Sequence, residues 1–153
     1  MKVIVTESPI DHWQELHAYE QGLAMHGKFG ATAVFIGSMR DFNEGDVVTG
    51  MELEHYPGMT EKYLEKLCEQ AADRWDVLDA LIVHRVGKVE PSDTIVLVSV
   101  WSAHRADAFE VCRFLMEDLK SRAPFWKKEN LVEGSRWVES NTPGETGKDK
   151  GSF

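Results

Sequence analysis

The sequence lacks the features that mark membrane, secreted and nucleic-acid-binding proteins. No apolar run approaches the ~20 residues of a membrane span, and the amino terminus has neither the apolar stretch nor the cleavage site of a signal peptide. Two cysteines are too few for a disulfide scaffold. A formal net charge of -9 argues against binding to phosphate backbones. These absences predict a cytoplasmic protein that contacts neither membrane nor nucleic acid.

Sequence motifs for bound cofactors are also missing. There is no Gly-rich phosphate loop, no serine elbow and no spacing of metal ligands. Cys68 and Cys112 each occupy an apolar position of a predicted helix, and no second thiol or group of histidines lies beside them. We therefore expect both cysteines to be core residues, and we expect no metal and no cofactor.

Length and patterning indicate one α+β domain. At 153 residues the chain can bury a core without a staple, and we assign residues 1–140 to a single domain. Residues 141–153 are rich in Gly, Thr and Lys and are expected to form a mobile tail. Hairpins between the predicted strands indicate a mixed or antiparallel sheet.

The predicted elements follow from hydrophobic periodicity and turn residues. Strands are expected at Lys2–Thr6, Ala31–Gly37, Val47–His55, Ala80–Val86 and Thr94–Trp101. A turn at Asn43–Asp46 predicts a hairpin between the second and third of these strands, and a final hairpin joins Phe125–Lys128 to Arg136–Val138 around Glu133-Gly134. Helices are expected at Ile10–Gln21, from Thr60 onward, and at His104–Arg122.

Two of these helices carry apolar stripes at helical spacing. The first stripe consists of Leu64, Leu67, Cys68, Ala71 and Trp75. The second consists of Phe109, Cys112, Met116 and Leu119. The two helices are therefore predicted to be long and amphipathic, each with one face on the core.

One stretch concentrates positive charge in this acidic chain. Lys120, Arg122, Lys127 and Lys128 fall within nine residues that contain no acid, although acids outnumber bases 26 to 17 overall. Gathered cations repel one another unless an anion visits them, so the stretch predicts a pocket for an anionic partner. The alternative is a solvated surface whose cations complement a helix C-terminus.

Lys120 is the candidate for chemistry within that stretch. Neighbouring charges from Arg122 and Lys127, together with burial, disfavour its protonated form, and a neutral lysine can act as a base or nucleophile. If Lys120 stays protonated, it can steady a phosphate or an oxyanion. Arg40 ends an apolar strand and can project into a site, but a surface position fits equally well.

A second candidate anion site lies where the last long helix begins. Ser102 suits the N-cap position, and His104-Arg105 follow it. Cations at a helix N-terminus oppose the helix dipole, whereas an anion held by free backbone N–H groups and Arg105 would compensate for this. The alternative is an ion pair between Arg105 and one of the many carboxylates.

Four segments together resemble one family. They are Leu-Glu-His-Tyr-Pro-Gly-Met-Thr-Glu-Lys from Leu53, His-Arg-Val-Gly from His84, Ser-Ala-His-Arg from Ser102, and Leu-Lys-Ser-Arg-Ala-Pro-Phe-Trp-Lys-Lys from Leu119. They are similar to the large, catalytic subunit of molybdopterin synthase, and the resemblance extends from the first strand to about Val138. It implies an α/β hammerhead-type fold.

The resemblance also implies an activity and partners. A small ubiquitin-like subunit would carry sulfur as a thiocarboxylate on its C-terminal Gly-Gly, and this sulfur would pass to cyclic pyranopterin monophosphate to form molybdopterin. The expected assembly is a heterotetramer around a homodimer of the large subunit. The family's catalytic lysines match Lys120 and Lys127.

The resemblance further implies residues that bind substrate. Its anion-binding residues match Arg40, His104 and Arg105, and pocket-lining positions match Phe35 and Met116. Lys128, from the cationic stretch, joins the predicted substrate-binding set. The alternative function is a non-catalytic module that binds a ubiquitin-like Gly-Gly tail; the presence of both lysines favours the enzyme.

Overall fold

The structure, a computed structural model, describes residues 1–132 and 134–138. Within these residues the chain forms nine strands and three helices. The strands are β1 (Lys2–Thr6), β2 (Ala31–Ser38), β3 (Phe42–Asn43), β4 (Asp46–His55), β5 (Asp79–Arg85), β6 (Gly87–Val89), β7 (Thr94–Ser102), β8 (Phe125–Leu131) and β9 (Ser135–Trp137). The helices are α1 (His12–Gln21), α2 (Met59–Arg74) and α3 (Arg105–Ser121). The predicted α+β class is confirmed.

The first sheet forms the centre of the molecule. Its strand order is β1-β5-β7-β2, in which β1 and β5 run parallel and the other pairs are antiparallel. Every residue of β5 and β7 is buried, as expected for central strands covered on both faces. The predicted mixed sheet is therefore present.

A second, antiparallel sheet carries the end of the cationic stretch, with Lys127 and Lys128 in β8. Its order is β3-β4-β8-β9, and β6 also pairs with β4. The final hairpin of β8 and β9 is confirmed. The hairpin predicted between Ala31–Gly37 and Val47–His55 is wrong, because β2 pairs with β7 while β4 pairs with β3, β6 and β8. A register irregularity between Gly37 and Ser38 ends β2, and only the two-residue β3 makes a hairpin with β4.

Apolar side chains cover both faces of the first sheet. The larger cluster lies between that sheet and the helices α2 and α3, and includes Leu64, Val98 and Leu115. A smaller cluster, with Leu81 and Trp101, lies on the side of α1. Full burial of one such side chain contributes about 1.5–3 kcal/mol to folding. The two clusters hold the helices in place around the sheet.

The buried stripe of α3 differs from the predicted one at a single residue. Cys112, Met116 and Leu119 are buried as expected, whereas Phe109 is 69% exposed. The buried face also contains Ala108, Val111 and Leu115. Phe109 lies just outside that face, since one helical residue turns the direction of the side chain by about 100°.

The loop before α2 is tied to the loop after α3. Gly58 is the N-cap of α2 and has a φ of 82°, a conformation that suits glycine. Its N–H donates to the Glu61 carboxylate over 2.6 Å. Thr60, fully buried, donates its hydroxyl to the Pro124 carbonyl and accepts from the backbone N–H of Tyr56, each over 3.1 Å. This pair of bonds fixes the start of β8 against α2.

Two further expectations concern the C-terminal tail and membrane-spanning helices. The predicted mobile tail at 141–153 lies outside the described residues, so the division of the chain at residue 140 stays a prediction. Among the helices of the described part of the chain, none has the length and apolarity needed to cross a membrane.

Candidate active site

The structure brings Lys120 and Lys127 together. Lys120 lies in the last turn of α3, Lys127 lies in β8, and their amino groups are hydrogen-bonded to each other. The pKa of Lys120 is held well below its ordinary value by burial, then by the charge of Lys127 and the hydrogen bond from it. Burial likewise lowers the pKa of Lys127. Burial and Lys127 therefore depress the pKa of Lys120 as expected, whereas the contribution expected from Arg122 is not found.

Local structure explains how the two lysines meet. α3 ends after Ser121, where the N–H groups of Arg122 and Ala123 both bond to the Asp118 carbonyl. Pro124 follows and disfavours helical conformation in the residue before it. The chain then reverses into β8, which places Lys127 beside the end of the helix that carries Lys120.

The two lysines differ in their surroundings. The hydrogen bond to Lys120 and the negative charge of Glu129 oppose the fall in the pKa of Lys127, whereas the positive charge of Arg40 adds to it. Lys120 has no such support for its ammonium form. The surroundings therefore favour the neutral form of Lys120 more strongly than that of Lys127.

Glu129 was not among the residues predicted from sequence. It is only 3% exposed, accepts a hydrogen bond from the Asn43 side-chain amide over 2.6 Å, and lies 3.8 Å from the Arg136 guanidinium. Its spacing of two residues from Lys127 places both side chains on one face of β8. That spacing was the available signal in the sequence.

Arg40 joins the lysine pair through its charge. It follows β2, its guanidinium lies 4.9 Å from the centre of the Phe42 ring, and it is near enough to lower the pKa of Lys127. Phe35 and Met116 belong to the larger core cluster that extends beneath this region, Met116 within it and Phe35 packed against it. The structure thus gathers three cationic residues over an apolar base.

Two other predicted cations are turned away from the pair. Adjacent residues in a strand point to opposite faces, so Lys128 leaves the face of Lys127, and its ammonium lies 5.6 Å from the centre of the Trp137 ring. Arg122 is exposed and lies 3.6 Å from the Asp118 carboxylate, which also accepts from the Tyr63 hydroxyl. Within one chain, therefore, neither Lys128 nor Arg122 faces the lysine pair, and the substrate-binding role expected for Lys128 stays a prediction.

His104 and Arg105 lie at the opposite end of α3. Both are exposed. The rise of 1.5 Å per residue puts Arg105 about 22 Å from Lys120 along the helix axis. His104 is the N-cap and makes no side-chain capping bond; Ser102, predicted to be the N-cap, is fully buried in β7 and its hydroxyl has no hydrogen-bond partner. One chain alone therefore unites Arg40, but not His104 or Arg105, with the lysines.

Both cysteines are core residues, as predicted. They are buried free thiols, and burial raises the pKa of each to about 11. At neutral pH they are protonated and therefore poor nucleophiles. The α+β frame therefore brings paired amines together at this site and keeps both thiols protonated in its core.

Comparison with known proteins identifies the family to which this fold belongs. A family model described as "MoaE protein" matches residues 5–122. The molybdopterin synthase catalytic subunit of Ralstonia nicotianae is 51% identical over 92% of this chain and 78% of its own length. The chain belongs to the MoaE family.

Solved structures share the fold. Molybdopterin synthase from Staphylococcus aureus superposes with a TM-score of 0.77 at 32% identity, over 90% of this chain and 98% of that one. A complex of subunits 1 and 2 of molybdopterin-converting factor from Helicobacter pylori superposes with a TM-score of 0.75 at 24% identity, over 90% of each chain. The latter likeness concerns the fold alone.

Proposed function

We propose that this protein is the catalytic subunit of a molybdopterin synthase. It is a sulfurtransferase that moves sulfur from the C-terminal thiocarboxylate of a small ubiquitin-like subunit to cyclic pyranopterin monophosphate. The observation that carries the proposal is the hydrogen-bonded pair of Lys120 and Lys127 at a partly buried position. Membership of the MoaE family favours this enzyme over a module that only binds the tail.

The two lysines have different tasks in this proposal. The thiocarboxylate sulfur attacks an oxygen-bearing carbon of the pterin precursor: the C–S bond forms as a C–O bond at that carbon breaks, the departing oxygen takes up a proton, and the sulfur stays linked to the tail as a thioester. Lys120, whose pKa is held well below its ordinary value, accepts a proton from the water that hydrolyses this thioester, which breaks the acyl C–S bond, leaves the sulfur on the pterin and frees the tail as a carboxylate. Lys127 keeps its charge beside Glu129 and stabilises the oxyanion at the acyl carbon.

The remaining site residues recognise anions and shape the pocket. Arg40 supplies a further positive charge beside Lys127, and Phe35 and Met116 provide apolar wall on the same side of the first sheet. Glycine residues at the end of the tail fit a narrow channel because they carry no side chains. The thiocarboxylate is drawn to the lysines by charge. No thiol of this chain takes part.

Reconstitution tests the activity directly. The purified protein is mixed with thiocarboxylated small subunit and the cyclic precursor, and the dithiolene product is measured. Deleting the terminal Gly-Gly of the small subunit should stop the reaction yet only partly weaken binding, because the globular body docks on surface outside the pocket. A truncated partner that no longer binds at all would contradict this division between docking surface and reactive pocket.

The assembly we propose is a heterotetramer built on a homodimer of this chain. His104 and Arg105 lie about 22 Å along α3 from Lys120, so they join the lysines only if a second copy brings its own helix start to the site. Relatives named as catalytic subunits, such as that of Ralstonia nicotianae, support a second, small subunit as the partner of this chain.

Mixing an inactive variant with one that binds precursor weakly tests the shared site, provided that the precursor concentration is well below the Kd of the wild-type protein. Lys120→Ala and Arg105→Ala are denatured together, refolded at equal amounts and assayed. If each site uses Lys120 of one copy and Arg105 of the other, half of the dimers regain one intact site of two, which gives about a quarter of wild-type activity. Activity no higher than the mean of the two separate variants would mean that both residues serve a site within one chain.

A further inference from the structure

His84 is a buried polar residue that the proposed reaction does not use. It is the last residue but one of β5 and is 2% exposed. Its position alternates with Ile82 and Ala80, which face the larger cluster between the sheet and α3. The ring therefore lies on the side of the sheet where α3 and β8 approach each other.

Hydrogen bonding fixes the tautomer of His84. Its Nδ1 lies 2.7 Å from the Arg85 carbonyl oxygen, and because a carbonyl only accepts, Nδ1 must carry the hydrogen. Burial lowers the pKa of His84 to about 3. The ring is therefore uncharged at every pH at which the protein would work.

The His84 ring is stacked on a residue of the strand that carries Lys127. Its centre lies 3.9 Å from that of Phe125, with an angle of 15° between the two planes. Phe125 also stacks on His55 at 6.5 Å and 25°, and His55 Nε2 lies 3.8 Å from Glu61. Since Phe125 precedes Lys127 by two residues, both side chains occupy the same face of β8.

Charged groups approach His84 from three elements. They are Lys120 on α3, Lys127 on β8 and His55 on β4, and the positive charge of each lowers the pKa of the ring. Arg40 and Glu129 act in turn on Lys127. A neutral ring at this point, stacked on Phe125, adds no further positive charge beside the lysine pair.

We propose that His84 is a positioning residue of the lysine pair: its flat, neutral ring, held by the Arg85 carbonyl and stacked on Phe125, is the dry surface beside which Lys120 and Lys127 are kept. This inference rests on the proposed function, because it gives His84 a task in the same site. The task is to keep the two amines poorly hydrated, so that Lys120 readily loses its proton.

Two substitutions separate the ring from its hydrogen bond. His84→Phe keeps a flat ring and loses the donor to the Arg85 carbonyl, whereas His84→Asn keeps a donor and replaces the ring with a small polar group. The measurement is the rate at which acetic anhydride, which reacts only with neutral amines, labels Lys120 as pH is varied. Mass spectrometry resolves each lysine, and the exposed Lys66 serves as the internal reference for the reagent.

We expect the pH midpoint of Lys120 labelling to rise by about one unit or more in His84→Asn, which is about a tenfold fall in neutral amine at a given pH below the midpoint. In His84→Phe the midpoint should stay within a few tenths of a unit. A wild-type midpoint in His84→Asn overturns the proposal, and so does a rise in His84→Phe as large as that expected for Asn. If one variant does not fold, the pH midpoint of Lys120 labelling in the other variant still tests the proposal.

The control is Val83→Ala, a cavity in the same strand on the opposite side of the sheet. It should lower thermal stability and leave the Lys120 midpoint unchanged; a matching shift in this control would show that general loosening of β5 causes the effect, which would also overturn the proposal. Labelling requires neither small subunit nor pterin. Its outcome is therefore separate from the reconstitution assay that tests the function itself.

Discussion

The two ends of α3 hold cations in opposite environments. At the C-terminal end, Lys120 is partly buried, its amino group is hydrogen-bonded to Lys127, and burial lowers its pKa. At the N-terminal end, His104 and Arg105 are exposed, and no carboxylate pairs with Arg105 among the salt bridges of residues 1–132 and 134–138. Burial thus lowers the proton affinity of the amine at one end of the helix, while the side chains at the other end face solvent.

The buried end should be the more sensitive to mutation. Replacing Lys120 with Ala should lower product formation at least about 100-fold, because the reaction loses its proton acceptor, while binding of the small subunit changes little. Lys120→Arg should not restore turnover, because a guanidinium keeps its proton. Product formation in the reconstituted system is the measurement. Near-normal turnover in either variant would refute the assignment of Lys120.

In the wild-type protein, activity should rise with pH through the pKa of Lys120. Since that pKa is depressed by burial and by Lys127, the rise should occur well below the ordinary lysine value of about 10.4. The rate is followed from acid to alkaline pH with precursor in excess. A midpoint at the ordinary lysine value would show that Lys120 is as hydrated in the complex as it is in water.

The exposed end should affect binding more than turnover. Arg105→Ala should weaken precursor binding about tenfold, because a charge-assisted hydrogen bond to phosphate is lost. The residual affinity should depend less on salt, and replacing His104 as well should weaken binding further. Calorimetry with the precursor measures both effects. Unchanged affinity after substitution of both residues would mean that the phosphate binds elsewhere.

Stability sharpens the contrast between the two ends. The pKa of Lys120 is lower in the folded protein than in the unfolded chain. At pH values between these two pKa values the unfolded chain binds more protons than the folded protein, so the free energy of unfolding rises with pH. Lys120→Met should therefore raise stability near pH 7 by about 1 kcal/mol while abolishing activity. It should also reduce the gain in stability with pH. Thermal unfolding across pH tests this, with the exposed Lys66→Met as the control that should change little.

Local periodicity predicted most of the fold but not the pairing of β2 and β4. The helices and main strands can be predicted from the spacing of apolar residues within each segment. The strand that pairs with β2 is β7, which lies more than fifty residues later in the chain. The short loop after β2 suggested a hairpin with β4, and only contacts across the whole sheet show that the two strands separate.

The same limit applies to the site. Lys120 and Lys127 were predicted, but the run of cations around them gave no sign that Lys128 would face Trp137 or that Arg122 would pair with Asp118. Strand alternation, once β8 is known, separates Lys127 from Lys128. Glu129 was missed because its partner Asn43 lies in a distant segment, and His84 because nothing in its sequence neighbourhood indicates Phe125 stacked against it.

The smallest expected effect on activity concerns the two buried cysteines. Cys112 lies on the buried face of α3, Cys68 lies on α2, and burial raises the pKa of both thiols to about 11. If sulfur arrives on the partner's tail, Cys68→Ala combined with Cys112→Ala should retain turnover and lose about 1–3 kcal/mol of stability from two small cavities. Product formation and thermal unfolding are measured on the same preparation. Lost turnover with an unchanged melting curve would instead place a sulfur-carrying thiol in this chain, and the chemistry could then no longer be ascribed to the lysine pair alone.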